Sequence, residues 1–160
     1  MAKVFISHHR YDSATALTIS ERLRSQHGIA SYLDVIDDQI AGNGEDLVAY
    51  LKDRMSTCSN LIAVVSPTTK LSQWVPWEIG VASERDMPLA AYLSGISDVP
   101  EFLKRWPRLS SIAHVDAYAA AMKVGESTVL RKRASRIEET ASLRAGAADF
   151  YSQLRRSLGQ

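Results

Sequence analysis

The sequence predicts an α/β fold: a doubly wound parallel sheet of five strands followed by a helical C-terminal extension. Two observations carry this. Short β-branched and aromatic runs alternate with helical patterns from Val4 to Val115, and such alternation implies right-handed βαβ units. The run Leu61-Ile62-Ala63-Val64-Val65 is continuously apolar, as in a strand buried on both faces of a parallel sheet.

The elements follow in order. Val4-Phe5-Ile6 is the first strand, expected at the centre of the sheet. Asp12 or Ser13 can cap a helix whose Ala16, Ile19 and Leu23 share one face, and Gly28 ends it. Ile29 to Val35 reads as the second strand, followed by a polar loop over 36–44. Leu47, Leu51 and Met55 recur at helical spacing, which makes 45–57 an amphipathic helix. After the strand Leu61–Val65, Ser72 can cap a helix from Trp74 to Arg85. Leu89 to Leu93 is the fourth strand, 94–111 a long loop with Gly95, Pro100 and Pro107, and Ile112 to Val115 the fifth strand. Residues 117–158 read as helix interrupted near Gly125 and Gly146, docked through Phe150, Leu154 and Leu158. The expected division is a 1–116 α/β domain with a 117–160 helical extension packed on it.

Composition narrows the function. The 160 residues are 46% hydrophobic and 23% charged, with a net charge of +1, which excludes wholesale disorder and a protein built to coat nucleic acid. Residues 1–116 carry eleven basic and fourteen acidic side chains, and 117–160 carry eight and four. Within the latter, Arg131, Lys132, Arg133 and Arg136 fall within two helical turns and are expected to be a solvated face, so no nucleic-acid partner is expected. One cysteine, Cys58, permits no internal disulfide and is expected to be a small core residue. No segment is apolar over the length of a bilayer. A soluble, cytoplasmic protein with no membrane partner is the expectation.

In open α/β sheets ligands sit beyond the carboxyl ends of the strands. Those ends are Ser7-His8-His9-Arg10, the loop 36–44, Ser66-Pro67-Thr68-Thr69 and the turn after Leu93. No glycine precedes Gly28, which removes the dinucleotide fingerprint, and no Gly-rich loop ends in Gly-Lys-Ser/Thr. A phospho-receiver needs acids where this chain has Ser7-His8 and Ser66. Adjacent His8 and His9 lack partners at metal spacing, so no metal is expected. No serine sits in a Gly-x-Ser-x-Gly elbow. What remains is Trp74-Val75-Pro76-Trp77-Glu78, in which Glu78 shares a helix face with Trp74 one turn earlier.

Four features in order resemble the Toll/interleukin-1 receptor (TIR) domain family. They are Val4-Phe5-Ile6-Ser7 with Tyr11-Asp12; Tyr32-Leu33-Asp34-Val35 running into Ile40-Ala41-Gly42-Asn43-Gly44-Glu45-Asp46-Leu47; Leu61 to Pro67; and the W-x-x-x-E pattern of Trp74 to Glu78. The resemblance is to the stand-alone, Thoeris-like microbial members of antiviral defence and covers 3–93. His8-His9-Arg10 departs from the small or polar residues commoner there. The implied fold is flavodoxin-like.

The implied activity is cleavage of the nicotinamide–ribose bond of NAD, with NAD as substrate and no cofactor. Glu78 is then the catalytic residue, expected to be a partly exposed cleft carboxylate. Trp74, Ser7, His8, Arg10, Asp38, Gly42 and Ser66 are the substrate contacts. The loop 36–44, with two glycines, is expected to be a lid or a contact loop, and backbone N–H groups near Ser7 and Ser66 to receive the pyrophosphate. One carboxylate suffices because nicotinamide leaves neutral from a cationic pyridinium, whereas glycosidases that expel an alkoxide use a pair. The implied output is a cyclic ADP-ribose-type signal for a separate effector protein, with self-association through TIR-type contacts. Two other outputs stay open: bulk NAD depletion, or a non-catalytic adaptor that only assembles.

Overall fold

A computed structural model describes residues 2–34, 44–97 and 99–160. Strands β1 (Lys3–Ser7), β2 (Ala30–Asp34), β3 (Asn60–Val65), β4 (Leu89–Leu93) and β5 (Arg108–Leu109) form one parallel sheet in the order β2-β1-β3-β4-β5. β3 occupies the centre, not β1. β1 is interior, paired to β2 on one side and β3 on the other, and all six residues of β3 are buried. The order reverses between β1 and β3, and a crevice opens at such a switch point.

Helices α1 (Ser13–His27), α2 (Gly44–Ser56), α3 (Trp74–Glu84), α4 (Ile112–Ala134) and α5 (Glu139–Leu158) cover both faces. Strand alternation assigns each residue its layer. Val4, Ile6, Ile62 and Val64 pack with α1, α4 and α5 through Ile19, Leu23, Tyr118 and Phe150. Phe5, Leu61, Ala63 and Val65 pack on the opposite face with Met55 of α2 and with Val75 and Ile79 of α3.

Local chemistry explains the ends. Gly28 closes α1 in the left-handed region (φ 65°), its N–H returning to Arg24 and Leu23 while the Ile29 N–H bonds Leu23. Ser72 caps α3 by accepting the Val75 N–H (3.2 Å). Neither expected cap of α1 behaves as one. Asp12 makes no cap bond, and the Ser13 hydroxyl donates to the Arg10 carbonyl (2.7 Å).

Two expectations are corrected beyond β4. Ile112–Val115 is the first turn of α4, and the fifth strand is the pair Arg108–Leu109. Ile112, Val115, Ala119 and Met122 form a helical stripe against the core, and in a short window that stripe mimics a β-rich run. A division at residue 116 therefore falls inside α4. Gly125 and Gly146 interrupt nothing; each lies within a helix. A Cβ at Gly125 would stand 2.8 Å from the Gly146 carbonyl oxygen, and a Cβ at Gly146 equally close to that of Gly125. Glycine lets the two backbones touch where α4 crosses α5. The real break is 135–138, where Arg136 takes a positive φ of 57°.

Phe150 and Leu154 are fully buried, and Leu158 packs against the same core. The basic end of α4 is largely exposed, with Arg133 paired to Glu139 and the cations favourably placed at a helix C-terminus. Among the described residues no helix is long and apolar enough to cross a membrane.

At the α1–α4 contact, Asp116 receives both the Arg22 guanidinium (2.7 and 2.9 Å) and the His27 ring (2.7 Å). Those bonds, Arg22 first, hold its carboxyl well below the usual carboxylate range. A depressed folded pKa contributes stability above the unfolded value and loses it as pH falls through the folded one. Asp116→Asn should lower the melting temperature by about 2 °C near neutral pH, since half-exposed pairs contribute little. The deficit should shrink below about pH 4, the ordinary aspartate range; thermal melts of both proteins from pH 7 to pH 3 measure it.

Candidate active site

The carboxyl ends of β1 and β3 carry the polar residues the sequence singled out. Ser7 ends β1 on the same face as Phe5, and that face meets α3. Its hydroxyl donates to Glu78 Oε2. Glu78 follows Trp74 by one turn of α3, and its side chain is only 1% exposed. The expectation of a partly exposed carboxylate is thus corrected. Among the residues whose burial is described, Glu78 and Asp12 are the buried acids. A buried carboxylate costs solvation unless hydrogen bonds replace water, and Ser7 supplies one.

Ser66 lies elsewhere. Residue parity along β3 places it with Ile62 and Val64, toward α1. There its hydroxyl donates to Asp12 Oδ2 (2.7 Å), which also accepts from the Thr68 hydroxyl (3.2 Å). Ser7 pairs with Ala63 across the sheet, so Ser66 stands three residues farther along, about 10 Å at strand rise. The two serines serve opposite faces, and the structure does not bring their side chains together. The Ser66 N–H is also committed, donating to the Thr69 hydroxyl (2.8 Å) within a capping box. Of the backbone N–H groups near Ser7 and Ser66 expected to receive a pyrophosphate, that of Ser66 itself is therefore already paired.

His8 is 5% exposed; its Nδ1 donates to the Ile6 carbonyl (3.1 Å), and its Nε2 lies 3.4 Å from the Ser13 hydroxyl. Arg10 is exposed, its guanidinium 4.9 Å from the Tyr11 ring centroid. Trp74 is half-buried at the first turn of α3, edge-to-face with Trp77 at 5.9 Å. Trp77 packs against the core while Trp74 does not join it, which leaves Trp74 the less engaged of the two indoles. Pro76 sits in the helix's first turn, where its missing N–H costs nothing. Asp38, Gly42 and the lid or contact loop expected around them lie outside the described residues.

Asp12 is the residue that sequence reasoning missed. It reads as a cap of α1 and acts instead as a buried acceptor joining the β1–α1 connection to the turn Pro67–Leu71 after β3. No local spacing signals that, because its partners are 54 and 56 positions away. Cys58 is half-buried among core residues, and burial pushes its thiol pKa up, away from nucleophilic use.

Chemically, α3 offers a buried carboxylate held in place by a hydroxyl, one helical turn after an indole. Such a group can stabilise positive charge developing on a substrate.

The family model described as "TIR domain" matches residues 4–123. The chain is also similar to a protein of Bacillus cereus (strain MSX-D12) named "Probable 3' cyclic ADP-D-ribose synthase ThsB'". The two are 28% identical over 80 residues, 48% of this chain and 41% of that relative. The match thus spans about two-fifths of the relative's length.

Proposed function

The chain belongs to the TIR domain family, and from that premise we propose that it cleaves the nicotinamide–ribose bond of NAD with Glu78 as its catalytic residue. The observation that carries this reading is the buried Glu78 carboxylate, held by Ser7 one helical turn from Trp74. Its chemistry suits the reaction. As nicotinamide departs, positive charge spreads over the ribose ring, and an anion shielded from water interacts with it strongly. Nicotinamide leaves as a neutral molecule, so no general acid is required. Trp74 offers a flat surface to a base. Asp38 and Gly42 are proposed contacts from the segment that follows β2 in sequence, with His8 and Arg10 following β1. Ser66 is assigned an indirect role, bracing the edge through Asp12.

The name of the relative supports a cyclic ADP-ribose-type product. Cyclisation needs no co-reactant: a hydroxyl of the same molecule's adenosine ribose, the 3' position in the relative's name, takes the place of water at the other ribose's carbon and gives up its proton. We assign the product a diffusible signalling role in antiviral defence, acting on a separate effector, with self-association of the TIR type.

Ser7 positions Glu78. Ser7→Ala removes the donor and should lower kcat about tenfold with KM little changed, as the loss of one charge-assisted hydrogen bond of about 1.4 kcal/mol implies. Steady-state kinetics of nicotinamide release measure it. Chromatography of the products tests the cyclising step: a product lighter than linear ADP-ribose by one water supports it, and linear ADP-ribose alone overturns it.

A further inference from the structure

The amino ends of β4 and β5 lie on the edge of the sheet opposite Glu78. A cavity of about 320 Å³ opens there, bounded by Ser83, Asp86, Arg105, Trp106, Tyr151 and Arg155. The donors dominate it. Arg155 donates to the Arg105 carbonyl, which anchors its guanidinium. The Arg105 guanidinium lies 5.2 Å from the Trp106 ring centroid. Among the described residues neither arginine pairs with a carboxylate, and the cavity's acid, Asp86, is taken by Arg144 (3.0 Å).

Tyr151 adds a third donor. Its oxygen accepts the Leu89 N–H (3.1 Å). A phenol accepts through its lone pairs and keeps one proton to give. Burial, the largest influence, pushes the Tyr151 pKa up, so the phenol stays protonated and able to donate.

Two guanidiniums and a phenol thus line one small cavity. Their two positive charges are balanced by a dianionic phosphate and not by a single carboxylate, and guanidinium forks match phosphate oxygens. The chain's net charge of +1 makes this a local concentration rather than a general basicity. We infer that Arg105, Arg155 and Tyr151 form a second binding site, remote from Glu78, for a phosphate-bearing small molecule.

The test is titration of the full chain with inorganic pyrophosphate at low salt, by calorimetry and by the Trp106 indole resonance in NMR. Arg105→Ala/Arg155→Ala should weaken binding at least tenfold, with circular dichroism unchanged. Arg105→Lys/Arg155→Lys, which keeps charge but loses the fork, should fall between. Glu78→Gln should leave the titration within twofold, which separates this site from the proposed catalytic one. ADP in a parallel titration identifies the source: tighter binding than pyrophosphate marks a nucleotide, equal binding the free anion. An unmoved Trp106 resonance in the wild type, or equal affinity in the alanine pair, overturns the proposal.

Discussion

Glu78→Gln should reduce NAD turnover by about a hundredfold or more while the protein stays folded. The substitution preserves the shape and the ability to accept from Ser7 but removes the negative charge. Loss of one preorganised electrostatic group in a water-shielded site typically costs a factor of 10² to 10³, about 3 to 4 kcal/mol. The side chain is 1% exposed, so the fold will register the change as well. Two effects oppose each other: a neutral amide is easier to bury than a carboxylate, but its bond to Ser7 is weaker. The net shift in stability should stay within about 2 kcal/mol. Glu78→Ala would be worse, since it strands the buried Ser7 hydroxyl. Kinetics beside a urea titration separate the effects: full-strength turnover by a folded Gln variant would move the chemistry away from Glu78.

Phe150→Ala should produce the largest loss of stability of any single change considered. The ring is fully buried and meets Tyr118 at 5.3 Å and Tyr151 at 5.2 Å, both edge-to-face. Truncating such a side chain costs about 3–5 kcal/mol, from lost transfer energy plus the cavity left behind. Against a total of about 5–15 kcal/mol for a domain, that is a melting temperature lowered by about 10 °C. The family match stops at residue 123, yet this residue joins α5 to the core under β1 and β3. A loss below about 1 kcal/mol in chemical denaturation would mean that α5 is an appendage rather than part of the core.

Much of this was legible beforehand because the deciding interactions are local. The continuous run Leu61–Val65 became the central strand, Gly28 closed α1, and Ser72 capped α3. Glu78 stood out because Trp74 lies one helical turn before it. What escaped was non-local. The role of Asp12 depends on Ser66 and Thr68, which only the sheet brings near. The burial of Glu78 depends on the face that Ser7 takes on β1, and a strand's facing is fixed by its neighbours, not by its own residues. Gly125 and Gly146 look like helix breakers until each is seen to make room for the other's backbone. The two-residue β5 is too short for periodicity to reveal, and the helical stripe from Ile112 was read in its place.

Release of nicotinamide from NAD by the purified wild-type chain, followed across a wide range of protein concentration, tests the central claim most directly. Nicotinamide is expected one-for-one with NAD consumed, at a rate that Glu78→Gln lowers about a hundredfold or more. No nicotinamide from the wild type at any concentration, dilute or assembled, would contradict it and leave a TIR domain that only binds its own kind.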